Sequence, residues 1–539
     1  MVRTPTCRTH FFVCVRRAFF ACTLIWSGSV ACAQPEQTTP PAAGEPFDVM
    51  EFRVLGNTML ASPDIERAVY PHLGPQKTIA DVEAARGSLE QAYRNAGYAT
   101  VFVDIPEQDV DKGIVRLRVT EAKLRRVKVE GARYFSARQI RAALPAAAPA
   151  TVPAFPVLQA ELAALNTQTP DRSVVPVLGA GPVPGTVDLT LKVKDSLPLH
   201  GSAELNDAHT VNTSRLRLLA SLSYDNLFNR LDSVSLQYQT APQERSELDG
   251  WVASYVTRLG TERKNRLALY FVDSDTDVAS LGTISVLGKG KIYGARLIMP
   301  LLNSPSQTHS FTLGADYKDF LESIQLDTAN SFQTPIAYIN LSLGQTSSWR
   351  WEREQFSLTS SFNFGPRRVE NGTQEFADKR FKGRPNYLYT RAEAASRTQL
   401  FAGTSLLMSL SGQYSARPVI SNEQFSIGGA EGVRGYLEAE ELGDLGFKGT
   451  IQLGSPQWNV LADKLRLEAF AFFDAGRVSA VNPLPDEISN IDLSSVGLGV
   501  TLVTFDRVQG SLSWAYPLVP ASRTDSGDSR LLFSIRSSW

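Results

Sequence analysis

The sequence has four cysteines in 539 residues, and Cys7, Cys14, Cys22 and Cys32 all fall within the first 33 positions. The rest of the chain has no disulfide framework and no thiol for metal or nucleophilic chemistry. Five histidines, His10, His72, His200, His209 and His309, are scattered without metal-ligand spacing. No Gly-x-x-x-x-Gly-Lys-Ser/Thr phosphate loop occurs, and no motif suggests a Ser/His/Asp arrangement. The expectation is a protein that is not an enzyme and holds no cofactor or metal. Charge of one sign is also lacking. Lys+Arg (54) and Asp+Glu (55) nearly cancel to a net −1, so no basic field calls for a nucleic-acid partner. Beyond the first segment no run approaches the roughly 18 apolar residues of a membrane-spanning helix. A closed β-barrel stays open, because its apolar residues alternate and never form a run.

The first segment carries Arg3, Arg8, Arg16 and Arg17 without an acid, then the apolar run Ala18 to Ile25. It finishes in Val30-Ala31-Cys32-Ala33, where Ala31 and Ala33 fit the small-x-small cleavage pattern of a secretory signal peptide, residues 1–33. A lipoprotein signal on Cys32 is the rival, but Ser29-Val30-Ala31 lacks the leucine usual three residues before such a cysteine. Cleavage after Ala33 gives an exported chain without thiols, which cannot misoxidise in an oxidising periplasm. The context is an envelope of the Gram-negative type.

Residues 34–46, rich in Pro and Gln, read as a short extended linker. Phe47 to Leu55 then alternates like a strand and ends at the turn signal Gly56-Asn57. Ser62 followed by Pro63 predicts a capped helix running to about Leu73. A second helix opens near Thr78, repeats Val82, Ala85, Leu89, Ala92 and Tyr93 on one face, and stops at Gly97. Two strands, Thr100 to Ile105 and Gly113 to Val119, complete a βααββ unit over residues 47–122. The order repeats more loosely over 123–197: a strand to Glu130, a helix capped by Ser136, a helix Phe155 to Leu165, and two closing strands. A tandem repeat without a catalytic cluster reads as a binding or scaffolding array.

From about 198 to 539 the helical period disappears. Segments of about ten residues alternate apolar and polar between Asn, Asp, Gly, Ser and Pro, giving about sixteen candidate antiparallel strands. Val234-Ser235-Leu236-Gln237-Tyr238 and Ser511-Leu512-Ser513-Trp514-Ala515-Tyr516 are examples. Some connections are short (Asp225 to Leu231) and some long (Tyr414 to Gly446), as in an outer-membrane barrel. In the final stretch Leu531, Phe533, Ile535 and Trp539 occupy alternate positions, broken only by Ser537. An apolar outer face with a terminal aromatic is the kind of strand that barrel-insertion machinery reads.

The most specific stretch is Phe425-Ser426-Ile427-Gly428-Gly429-Ala430-Glu431-Gly432-Val433-Arg434-Gly435-Tyr436. Its glycines frame a single arginine. Later comes Phe472-Phe473-Asp474-Ala475-Gly476, in which Phe472, Asp474 and Gly476 share one strand face. A strand aspartate belongs on the lumen side, since lipid penalises it, and there it can pair with Arg434.

Val433-Arg434-Gly435-Tyr436 followed by Phe-x-Asp-x-Gly resembles the signature of two-partner secretion transporters, the TpsB (haemolysin secretion/activation, ShlB/FhaC/HecB-like) branch of its superfamily. Tyr93-Arg94-Asn95-Ala96-Gly97-Tyr98 and the segment Asp171 to Asp195 also resemble that family's POTRA domains. The resemblance implies a transmembrane β-barrel of sixteen strands (198–539) behind two α+β POTRA domains (47–122 and 123–197). It implies an outer-membrane location with the POTRA domains in the periplasm, and export of a large unfolded partner exoprotein without ATP. Outer-membrane lipids and, during biogenesis, the barrel-assembly machinery are further expected partners. By the same resemblance Val433 to Tyr436 form the tip of the sixth extracellular loop, folded into the barrel, with Asp474 as inner-wall partner. An assembly or insertion factor of the same superfamily is the alternative, because it shares the loop signature. Two departures stand out. Residues 34–46 are too short and Pro-rich for the plug helix that family members often have. Gln452 lies near where many relatives carry a glutamate, which leaves a second acidic partner for Arg434 in doubt.

Overall fold

The computed structural model describes residues 46–539, apart from 111, 212, 261–263, 276–277, 282–283, 288, 322, 328–329, 368–371, 461–463 and 486. Side chains are described outside 276–288 and 322–333. The expected cleavage residues Ala31 and Ala33, and the linker up to residue 45, lie outside the described residues.

In the first module the sheet has the order Glu51–Leu55, Ile114–Glu121, Val101–Asp104, with the first pair parallel and the second antiparallel. Helices Ser62–Val69 and Ile79–Asn95 are buried through Ile65, Val69, Val82, Ala85, Leu89 and Tyr93. Three details differ from the sequence reading. The stretch Phe47 to Leu55 is two strands, because Met50 and Glu51 both donate to the Gly113 carbonyl and the chain changes partner there. Phe47–Val49 pairs instead with Gly74–Lys77. Ser62 is already helical; Ala61 is the N-cap, and no side chain caps this end. The helix stops at Val69 and tightens into a 3-10 turn, Tyr70–His72, since Pro71 has no N–H to continue the ladder.

The second module has the sheet order Lys123–Glu130, Thr186–Asp195, Arg172–Ala180, with helices Ala137–Ala142 and Phe155–Asn166 packed through Ile140, Leu158, Leu162 and Leu165. The two modules repeat one device at atomic detail. Gly56 and Gly131 have φ of +87° and +85°, and a Cβ there would stand 2.5 Å from the Val119 carbonyl oxygen or 2.3 Å from that of Val193. Two residues beyond those carbonyls, Glu121 and Asp195 accept backbone N–H bonds from the chain after each glycine. Thr58 and Met59 reach Glu121 at 2.7 and 2.9 Å; Arg133, Tyr134 and Phe135 reach Asp195 at 2.9, 2.7 and 3.1 Å.

The remainder forms a closed antiparallel barrel whose sixteen strands run from Leu199–Asn206 to Arg530–Ser538. Leu445–Gly454 and Trp458–Val460 both pair with Leu465–Ser479 and make one interrupted strand, broken around Pro456, which cannot donate to the ladder. The seam pairs Ser534 to Ser538 with Asn206 to Ser202, after which Trp539 exchanges backbone bonds with Gly201 at 3.0 and 3.1 Å. Closure leaves no sheet edge facing lipid. Leu531, Ile535, Leu498 and Phe473 are exposed on the outside, and Phe533 is half-buried. On the inner wall Arg296 grips the buried Asp316 at 2.5 and 2.7 Å.

Candidate functional site

Between the strands Ser405–Ser415 and Leu445–Gly454 lies a loop of residues 416–444, at the end of the barrel opposite the second module. It is ordered as a hairpin: Phe425–Ile427 pairs antiparallel with Glu441–Gly443. Phe425, Ile427, Val433 and Tyr436 are buried against Val478 and Leu493 of the wall, and this apolar contact turns the loop inward. The carbonyls of Ser494 and Val519 lie 2.9 and 2.7 Å from the Tyr436 hydroxyl, which donates to them.

The loop tip brings Arg434 to Asp474. The guanidinium donates through Nε to Oδ2 at 2.7 Å and through Nη2 to Oδ1 at 2.9 Å, a bidentate pair. The Arg434 backbone N–H adds a third bond to Oδ2 at 3.1 Å. Asp474 is fully buried. Nη1 donates to Gln452 Oε1 at 2.9 Å, so the position that left a second partner in doubt supplies a neutral acceptor rather than a carboxylate. The guanidinium carbon sits 3.4 Å from the Phe472 ring centroid, and Phe470 flanks it at 5.9 Å. Such a cation over an aromatic face gains further attraction in a desolvated place. Phe470, Phe472, Asp474, Gly476 and Val478 all face inward along Leu465–Ser479, while Phe473 and Arg477 face out. Gly476 leaves room for the tip: a Cβ there would lie 3.2 Å from Val433 Cγ2 and 3.3 Å from Ile427 Cγ2.

Sequence reasoning missed two anchors of the same loop. Glu423 is buried at its start, where the Lys318 ammonium and the Tyr338 hydroxyl donate to Oε1 and the Tyr389 hydroxyl to Oε2, each at 2.5 Å. Asp444 is buried at its end, accepting from the Val419 N–H at 2.9 Å and the Val481 N–H at 2.7 Å. An acid beside the apolar Val419-Ile420 was the one available signal for Glu423; Asp444 carried none. Below the loop the lumen holds a cavity of about 900 Å3, lined by both signs of charge, among them Arg391, Glu393, Lys448, Glu438 and Arg536. Among the described residues no group of His, Cys, Asp or Glu is arranged to hold a metal.

Small tandem α+β modules ahead of a closed barrel, with a long loop drawn into the lumen, define an outer-membrane barrel protein of the POTRA-bearing kind. The profile of the haemolysin secretion/activation proteins ShlB/FhaC/HecB matches residues 185–502, and that of the ShlB-type POTRA domain matches residues 47–122. The chain belongs to this family of two-partner secretion transporters of the outer membrane, whose POTRA domains are periplasmic. It is 23% identical over 437 residues to the outer membrane transporter CdiB of Dickeya dadantii, covering 77% of this chain and 74% of that one. It is 20% identical over 494 residues to the heme/hemopexin transporter protein HuxB of Haemophilus influenzae, covering 88% and 84%. In fold it is similar to CdiB from Escherichia coli, with a TM-score of 0.58 at 19% identity over 94% of this chain and 93% of that one. It is also similar in fold to BamA from Haemophilus ducreyi lacking POTRA domains 1-3, with a TM-score of 0.57 at 13% identity over 92% and 100%. These relatives are transporters and barrel proteins, not enzymes.

Proposed function

We propose that this chain captures one large exoprotein in the periplasm and passes it unfolded through the barrel to the cell surface, without ATP. The observation that carries this reading is the infolded loop held by Arg434 on Asp474. A hairpin whose tip is seated in a closed cylinder by one salt bridge and a small apolar contact can withdraw that tip and return it without breaking any barrel strand. Folding of the partner outside would draw the chain outward, since the periplasm supplies no nucleotide and the sequence has no phosphate loop.

Capture would occur by strand addition. Val101–Asp104 and Arg172–Ala180 are edge strands of their sheets, and Phe102, Val175 and Val177 are exposed on them. An apolar partner strand would cover these side chains while its backbone completes the ladder. The Leu531, Phe533, Ile535 and Trp539 face would serve insertion of the barrel by the assembly machinery.

The test is to look for a reading frame for a very large exoprotein beside this gene, delete the gene, and assay that product. Loss of that product from the surface, restored by the gene in trans, is the expected result. An unchanged distribution with a general fall in other outer-membrane proteins would favour an assembly factor, the reading that the likeness to BamA in fold keeps open.

A further inference from the structure

Glu423 is almost fully buried, at 1% exposure, yet it is an acid on a loop rather than on the wall. Its partners come from three separate wall strands on the side of the strand that leads into the loop: Lys318 from Gln307–Phe320, Tyr338 from Ile336–Arg350 and Tyr389 from Leu388–Gln399. Its own carbonyl accepts from Gln413 Nε2 at 3.0 Å and from Arg391 Nη2 at 3.2 Å. The surroundings are apolar. Val419 and Ile420, just before it, pack in one buried cluster with Phe320, Tyr338, Phe376 and Tyr389. Phe376 comes from a short helix of the preceding loop, Thr373–Lys379, and meets the Tyr338 ring edge-on at 5.7 Å. A buried carboxylate is tolerated only where donors replace its water. Every donor here is fixed to the wall, so the carboxylate ties the loop's first limb to one side of the lumen. Arg434, farther along the same loop, ties its tip to Leu465–Ser479 on another side.

We propose that Glu423 is a positioning residue for that arginine. By fixing the start of the loop to Lys318, Tyr338 and Tyr389, it presents the tip at Asp474 and keeps the lumen closed at rest. This rests on the reading of the loop as a seated, removable closure. The two ties differ in kind. Arg434 reaches out from a loop tip, whereas Glu423 is embedded in a dry core that includes a second loop. The Glu423 end is therefore the pivot, and the Arg434 end is the one released first.

The sequence has no cysteine after Cys32, so a pair introduced at Val433 and Leu493, which share one buried cluster between loop tip and wall, reports tip position. The readouts are the yield of a short bismaleimide cross-link between that pair and the ion conductance of the purified protein, with the same variants otherwise cysteine-matched, in planar bilayers. Glu423→Ala is expected to lower the cross-link yield and raise open-channel events, each by about tenfold, the scale of losing charge-assisted bonds. Tyr389→Phe, which removes one donor and keeps the ring, is expected to move both in the same direction by less. The exchange Lys318→Glu with Glu423→Lys is expected to recover at least part of the cross-link. Wild-type yield and conductance in correctly folded Glu423→Ala would overturn the proposal. If Glu423→Ala does not assemble, unchanged readouts in Tyr389→Phe and in Glu423→Gln would overturn it. Neither readout uses secretion, so loss of the secretion role itself would show separately, as an exoprotein that reaches the surface without this gene.

Discussion

Asp474 Oδ2 accepts two bonds from one residue, the Arg434 side chain at 2.7 Å and its backbone N–H at 3.1 Å. The carboxylate thus reads the loop's path as well as its charge. A lysine at this position would keep the charge but lose the fork that occupies both oxygens and Gln452 together. Arg434→Lys is therefore expected to export far less than wild type at equal surface level. Export within twofold of wild type would show that charge alone suffices.

The contributions of the two acceptors differ because one is charged. Truncating Asp474 leaves a buried cation unpaired, at about 3–5 kcal/mol, whereas truncating Gln452 removes one neutral acceptor, at about 1 kcal/mol. Asp474→Ala should reduce secretion severely and Gln452→Ala only mildly. Equal defects, measured as secreted exoprotein per folded barrel, would count against this ranking.

Room for the tip is as necessary as charge. Gly476→Leu fills the space that Val433 and Ile427 occupy, an overpacking of about 1–3 kcal/mol, enough to unseat the tip in a large share of molecules. Added protease should then cut the loop in intact cells while the barrel remains folded. A loop as resistant as in wild type would mean that the wall yields instead.

Leu498 faces outward on Asn490–Thr504, and Thr501 lies on the lumen side of the same strand. Leu498→Arg should cost about 2–4 kcal/mol toward the middle of the bilayer and lower the folded fraction, whereas Thr501→Arg should be tolerated. The gel shift of unboiled against boiled protein reports both. The opposite ranking would put water where the account puts lipid.

In the first module Glu121 is drawn two ways. Burial pushes its carboxyl up, but donation from the Thr58 hydroxyl, the Thr58 and Met59 N–H groups and Tyr93 holds it below the usual 4.5. A group depressed in the folded state stabilises fully above its unfolded value, and that stabilisation fades as pH falls through the folded value. Glu121→Gln should lose protection of the Ile79–Asn95 helix by about 1–3 kcal/mol at pH 7, read by hydrogen exchange corrected for intrinsic rates. The gap to wild type should narrow below about pH 4.5. A gap that stays constant with pH would remove the carboxylate from the explanation.

The barrel was legible because strand alternation is local: Val234, Leu236 and Tyr238 announce a two-sided sheet without reference to any distant residue. Sixteen such strands and closure follow from their number and from the need to pair every backbone group in lipid. Arg434 and Asp474 stood out because an unusual glycine frame and a charge in an aromatic strand each draw notice alone. Glu423 did not. Its donors, Lys318, Tyr338 and Tyr389, look like ordinary inward residues, and only the closed barrel brings them together. The repeated carboxylate latch of Glu121 and Asp195 was hidden for the same reason, since its acceptors lie sixty or more positions from the donors. The split at Met50 was hidden because a change of strand partner leaves alternation intact.

The most direct measurement is a double-mutant cycle on export: secreted exoprotein from Arg434→Ala, Asp474→Ala and the double variant, at matched amounts of heat-modifiable barrel. If the two side chains act as one closure, each single variant loses most of its activity and the double is no worse than the poorer single. Independent losses that multiply in the double variant, or full export from either single, would contradict it.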